Sequence, residues 1–177
     1  MIMNNNHHPL IELAKSAILN YLAGRNTEMP HNIDPEYLNE RAGVFVTIMK
    51  NGELRGCIGT CAPTKLNIAQ EVATNAVAAA FDDPRFEPVS GEEIEQLNFE
   101  ISIMKKPELV KDISGLNPKI FGILVIASGS GRSGLLLPDI KGVDSVERQL
   151  AIACKKGGID PDKEKILIYK FMVKKIS

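Results

Sequence analysis

The sequence predicts an α+β fold in which three main helices pack on mixed or antiparallel strands. Three observations carry this. Apolar residues recur at helical spacing in three separate stretches. An Asn51-Gly52 pair joins two strand-like runs. The strands are not separated one by one by helices, as a doubly wound sheet requires. The 177 residues suit one domain, or one domain with two lobes, and are enough to bury roughly two thirds of the unfolded chain's surface.

Leu10, Ile11, Leu13, Ala14, Ala17, Ile18, Tyr21 and Leu22 line one side of a first helix, with Pro9 suited to its first position and Gly24 to its end. A polar, Pro-containing loop is expected over residues 25–42. Val44 to Lys50 is rich in β-branched residues, and Asn51-Gly52 then favours a type I′ turn, whose two central residues both take φ > 0. With Glu53 to Ile58 as the return strand, a two-residue turn sets Lys50 opposite Glu53, Ile48 opposite Arg55 and Val46 opposite Cys57. Alternation then puts Arg55 and Cys57 on one face, and Leu54, Gly56 and Ile58 on the other. Thr64 is expected to cap a second helix, whose Leu66, Ala69, Ala73, Ala76, Val77 and Ala80 repeat along one side and which Asp83-Pro84 stops. Ser90 with Glu93 reads as a capping box for a short helix ending near Leu97. Phe99, Ile101 and Ile103 alternate with Glu100, Ser102 and Met104 in a strand. Phe121 to Ala127 is a buried-type strand, and Leu135 to Leu137 a short one. Asp144 with Glu147 opens the third helix and Gly157-Gly158 closes it, leaving Lys165 to Ile176 as the last strand.

Composition narrows the class. A net charge of −1 excludes a general nucleic-acid coat, and 44% hydrophobic with 24% charged residues is ordinary for a globular chain. No apolar run approaches the ~20 residues of a membrane span. The first residues lack the basic and apolar regions of a signal peptide, and about residues 1–8, with His7 and His8, are expected to form a flexible tail. Three cysteines, an odd and sparse count, point to a reducing cytoplasm rather than a disulfide scaffold.

The motifs are weighed against plainer readings. Gly129-Ser130-Gly131-Arg132-Ser133-Gly134 matches G-x-G-x-x-G, yet Leu-Leu-Leu-Pro follows where a dinucleotide site needs a helix, so it reads as a strand connection. Cys57 and Cys61 lack the further ligands of a zinc or iron–sulfur centre, so no metal and no cofactor is expected. Cys57 draws attention because Arg55 stands two residues away on the same strand face, where a guanidinium favours a nucleophilic thiolate. Gly56 and Gly59 leave room for a close approach of backbone or substrate. The plainer reading makes Cys57 a small core residue. Glu100, mid-strand, and Arg85 are natural partners, either in an ion pair or shaping a site. Lys165, Lys170, Lys174 and Lys175 make the last strand basic.

Leu54-Arg55-Gly56-Cys57-Ile58-Gly59 resembles the LRGCIG signature of the AMMECR-type domain family, also called AmmeMemoRadiSam system protein A. Asp83-Pro84-Arg85-Phe86, Phe99-Glu100-Ile101-Ser102-Ile103, Arg132-Ser133-Gly134-Leu135-Leu136-Leu137-Pro138, Cys154-Lys155-Lys156-Gly157-Gly158 and Tyr169-Lys170-Phe171 are similar, in order, to further family segments. The chain departs in having Phe121 where members often carry a histidine before Gly122, and in having no tryptophan. The resemblance covers residues 1–177 as a single domain and implies a larger and a smaller lobe with a cleft between them. It also implies a cytoplasmic protein working beside Memo-type and radical S-adenosylmethionine (radical SAM) proteins. The reaction itself is not part of what the resemblance supplies.

Three readings of function follow. In the first, the chain is an enzyme or enzyme component acting on a small molecule or RNA. Cys57 is then nucleophile or thiol carrier, Arg55 stabilises its thiolate or binds an anionic substrate, Glu100 and Arg85 shape the site, and Gly56 and Gly59 give the substrate room. In the second it is a non-catalytic adaptor, with Arg55 in a structural ion pair. In the third the basic last strand binds nucleic acid. No membrane partner is expected.

Overall fold

The computed structural model describes residues 8–177. The chain condenses into two compact units, one running up to Ile103 and taking back Lys174–Ser177, the other Met104–Val173. Each encloses its own hydrophobic core. The fold is α+β, as the sequence predicts, and every strand pair whose register is defined is antiparallel.

The first unit begins with helix α1, Pro9–Leu22. His8, expected in a flexible tail, instead caps this helix, its Nδ1 accepting the Leu10 N–H at 3.2 Å; residues 1–7 of that expected tail lie outside the described residues. The loop expected over 25–42 holds a one-turn helix α2, Pro35–Asn39, started by the Asp34 side chain and Pro35. Strands β1, Val44–Lys50, and β2, Glu53–Gly59, form the hairpin, with Asn51 and Gly52 at φ 52° and 82°. Helix α3, Ile68–Phe81, is capped by Asn67, which accepts the Gln70 N–H at 2.9 Å. Thr64 is therefore not the cap; its N–H and hydroxyl both go to Glu71. Gly91–Gln96 is a 3₁₀ turn opened by the Ser90 N–H donating to Glu93. Strand β3, Leu97–Met104, and a final strand complete a sheet ordered β2-β1-β3 and then that last strand.

Val44, Val46 and Ile48 are fully buried on the sheet face that packs against α3. Gly56 lies on that face too. A Cβ there would fall on the Ala79 carbonyl oxygen of α3, so only glycine admits this helix–strand approach.

The second unit holds strands β4, Glu108–Leu109, β5, Gly122–Ala127, β6, Ser133–Leu136, and β7, Ile166–Phe171, in the order β4-β7-β5-β6. Helix α4, Val146–Gly157, packs on β5 and β6, so closely at Gly134 that a Cβ would fall on the Ala153 carbonyl oxygen. Ser145 rather than Asp144 caps α4, accepting the Arg148 N–H, and Gly158 ends it in the left-handed region at φ 60°. The Gly129–Gly134 motif spans the β5–β6 connection and the first two residues of β6, with no helix following. The basic last strand is broken at Met172. Ile166–Phe171 joins the second sheet, and strand β8, Val173–Ile176, joins the first.

Candidate functional site

The hairpin register positions Cys57 and differs from the expected one. Lys50 faces Glu53 and Met49 faces Leu54, but a β-bulge then leaves Arg55 unpaired. Beyond it Ile48 faces Gly56, and Cys57 faces Thr47 instead of Val46. Thr47 also faces Glu100 on its other side. Cys57, Thr47 and Glu100 thus form one row across three strands, on the face opposite α3. All three are half-buried. The Thr47 Oγ1 and Cys57 Sγ lie 3.4 Å apart in hydrogen-bonding geometry, and Lys175 of β8 meets the Glu100 carboxylate at 3.5 Å.

Arg55 and Cys57 have different bonding partners. Arg55 donates to both oxygens of Glu93, at 2.8 and 3.2 Å, and to the Glu87 and Pro88 carbonyls. Lys50 joins the same carboxylate at 2.8 Å. The Arg55 guanidinium holds the Glu93 carboxyl at about 2, with Lys50 and the Ser90 N–H assisting and burial opposing. Arg55 is thus engaged in an ion cluster rather than with the thiol.

The guanidinium that reaches Cys57 belongs to Arg85. Asp83, buried at the end of α3, accepts the Cys57 N–H at 2.9 Å, and Arg85 Nη2 donates to the Cys57 carbonyl at 3.3 Å. Arg85 also grips Asp83 through Nε and Nη2, at 2.9 and 2.7 Å. β2 is the sheet edge, so this couple satisfies outward backbone groups that an edge strand leaves bare. Hydrogen bonds from Arg85, helped by the Cys57 N–H and opposed by burial, hold the Asp83 carboxyl well below the usual carboxylate range. The same bonds raise the Arg85 pKa, to which a Cys57 thiolate adds. Arg85 and Glu100, expected as partners, instead pair with Asp83 and Lys175.

The segment after β2 is also pinned. Glu71, 1% exposed, accepts from the Thr60 hydroxyl, the Thr64 N–H and hydroxyl, and the Lys65 N–H, each at 2.8 Å. Burial pushes its pKa up, but these donors outweigh it and leave the value lowered. Gly59 packs against the Phe45 ring, where a Cβ would collide, so its bareness serves packing.

Sequence reasoning missed Thr47, Asp83, Glu93 and Lys175. Asp83 was legible as a helix stop and as part of the Asp83-Pro84-Arg85-Phe86 segment but not as a partner of Cys57, and Thr47 only through the bulge. Among the described residues no group of three or more His, Cys, Asp or Glu is arranged to hold a metal. No described helix is long and apolar enough to cross a membrane.

Comparison with known proteins places this geometry in context. The AMMECR1 family model matches residues 11–176. A protein of Thermotoga maritima is 46% identical over 170 residues, spanning 95% of this chain and 97% of its own length. One from Clostridium acetobutylicum is 39% identical over 93% of this chain, which spans only 35% of that longer protein. The crystal structure of the uncharacterized protein PH0010 from Pyrococcus horikoshii is similar, with a TM-score of 0.84, 34% identity, and coverage of 94% of this chain and 88% of that one.

Proposed function

The chain belongs to the AMMECR1 family, and on that premise we propose that it is an enzyme or enzyme component whose working group is the Cys57 thiol. The observation that carries this reading is how Cys57 is held. Both its backbone groups are bonded by the Asp83–Arg85 couple, while its sulfur stays off the α3 face and beside the Thr47 hydroxyl. A thiol attacks in its ionised form, and a fixed backbone aims it at an electrophile. Glu100, next in the row beyond Thr47, is the group suited to take or return a proton, with Lys175 balancing its charge. Arg85 is the cation of this site, and Arg55 holds the hairpin. The substrate is a small molecule or an RNA, and the protein acts in the cytoplasm beside Memo-type and radical SAM proteins, a context supported by the family resemblance alone.

The test is the rate at which iodoacetamide labels each cysteine of the folded protein across pH, read by peptide mass spectrometry. Half-buried Cys57 is expected to react faster than exposed Cys61, with buried Cys154 as the slow control. Labelling of Cys57 that lags behind Cys61 until the protein unfolds removes the proposal.

A second reading, the non-catalytic adaptor, draws on the Arg55–Glu93–Lys50 cluster, which gives the arginine of the motif a purely structural task. It predicts that Cys57→Ser leaves partner capture intact.

A further inference from the structure

A second, basic site lies wholly within the Met104–Val173 unit. Lys105 and Lys106 follow β3, and the Lys105 N–H donates to the Met172 carbonyl at 2.8 Å, tying this turn to the break between β7 and β8. Lys170 of β7 comes up beside them, its Nζ 4.8 Å from the centroid of the Phe121 ring. Together the three lysines rim a small cavity of about 50 Å³ whose remaining wall is Glu108, Phe121, Phe171 and Met172.

The charges here are not balanced. Among the described residues neither Lys105 nor Lys106 makes an ion pair, and Lys170 has only Glu108, 3.7 Å away and largely exposed. The field of the surrounding chain has the same sign: residues 104–173 carry twelve lysines and arginines against eight aspartates and glutamates, in a protein whose net charge is −1. Three ammonium groups around one concavity repel one another, and an anion seated among them offsets that cost. The aromatic wall lowers the local dielectric and strengthens the attraction. A cavity of this size has room for one tetrahedral group. A dianion satisfies several ammonium point charges at once, which a single carboxylate does less well.

We propose that Lys105, Lys106 and Lys170 form a binding site for a phosphate group, with Phe121 as its wall. Phosphate chemistry can come from the free inorganic ion or from a phosphomonoester, and the experiment separates the two. The full-length protein is titrated with inorganic phosphate and with phenyl phosphate at low ionic strength, followed by ¹H–¹⁵N NMR. Saturable shifts are expected at residues 105–106, 121–122 and 170–172. Affinity is expected to fall at least about tenfold in Lys105→Ala/Lys106→Ala and in Lys170→Met, in line with the loss of charge-assisted contacts. Lys155→Ala/Lys156→Ala, which removes an exposed lysine pair at the end of α4, is expected to bind like the wild type. Tighter binding of phenyl phosphate identifies a phosphomonoester site, and equal binding an inorganic-phosphate site. Shifts spread evenly over all basic residues, a control variant that weakens binding as much as the pocket variants, or pocket variants that bind unchanged each overturn the proposal. Lys105 and Lys106 are exposed and methionine keeps the Lys170 stem, so these variants preserve the fold.

Discussion

Asp83 Oδ2 accepts the backbone N–H of Cys57 at 2.9 Å, joining the end of α3 to the edge of the sheet at the residue on which the functional proposal turns. The same carboxylate is gripped by Arg85, which returns a bond to the Cys57 carbonyl. One Asp-Pro-Arg segment therefore closes the helix, caps the sheet edge and fixes the thiol-bearing strand.

Replacing Asp83 by Asn removes the charge and offers an NH₂ group where the Arg85 guanidinium and the Cys57 N–H both require an acceptor. Chemical denaturation is expected to show a loss of roughly 2–3 kcal/mol, the cost of breaking charge-assisted bonds in a buried setting. Cys57 labelling should change with it, while exposed Cys61 serves as reference. A variant as stable as the wild type contradicts the bracing role.

Arg55→Met should cost roughly 3 kcal/mol at neutral pH, because Glu93 is then left buried with Lys50 as its remaining cation. The folded pKa of Glu93, about 2, lies below the ordinary 4.5. Its stabilising contribution is therefore complete above 4.5 and is lost as pH falls through the folded value. The stability gap between wild type and Arg55→Met is expected to narrow steadily from pH 5 to pH 2. A gap that stays constant over that range assigns the loss to packing instead.

Thr47→Val separates chemistry from structure. It removes the hydroxyl beside Cys57 Sγ while keeping the branched shape, so stability should change by no more than about 1 kcal/mol. Iodoacetamide labelling of Cys57 at neutral pH is expected to slow by about five- to tenfold, on the order of 1 kcal/mol of lost support for the thiolate. An unchanged rate shows that the hydroxyl does not assist the thiol.

Gly56→Ala sets a Cβ against the Ala79 carbonyl of α3, a backbone atom that cannot swing aside. A loss of at least roughly 2–3 kcal/mol in thermal or denaturant unfolding is expected from this overpacking. Wild-type stability in the variant would mean that helix and strand can part at little cost.

Local chemistry explains how much of this was legible in the residues alone. The hairpin turn, α1 with Pro9 at its start, the Ser90–Glu93 bond and the glycine stop of α4 were readable because each depends on neighbours a few positions apart. Expectations failed where neighbouring signals competed. Thr64 and Asn67 both suit a cap, and burying Glu71 among donors drew Thr64 away from that task. Residues 165–176 read as one strand because their pattern is unbroken, but β7 pairs between β4 and β5 in one sheet while β8 takes the edge beside β3 in the other, and Met172 is where the chain passes from one to the other.

By itself the sequence determined the α+β class and the family, since these rest on periodicity, turn preference and an ordered set of motifs. Only the tertiary structure decided which side chains meet Cys57. One bulged residue shifts every later pairing by one position, exchanging Val46 for Thr47 opposite the thiol and freeing Arg55 for Glu93. Arg85, distant along the chain, reaches Cys57 because the end of α3 returns to the sheet edge there. Strand register and chain return are set by packing among residues far apart in sequence, and that packing is the physical reason for the division.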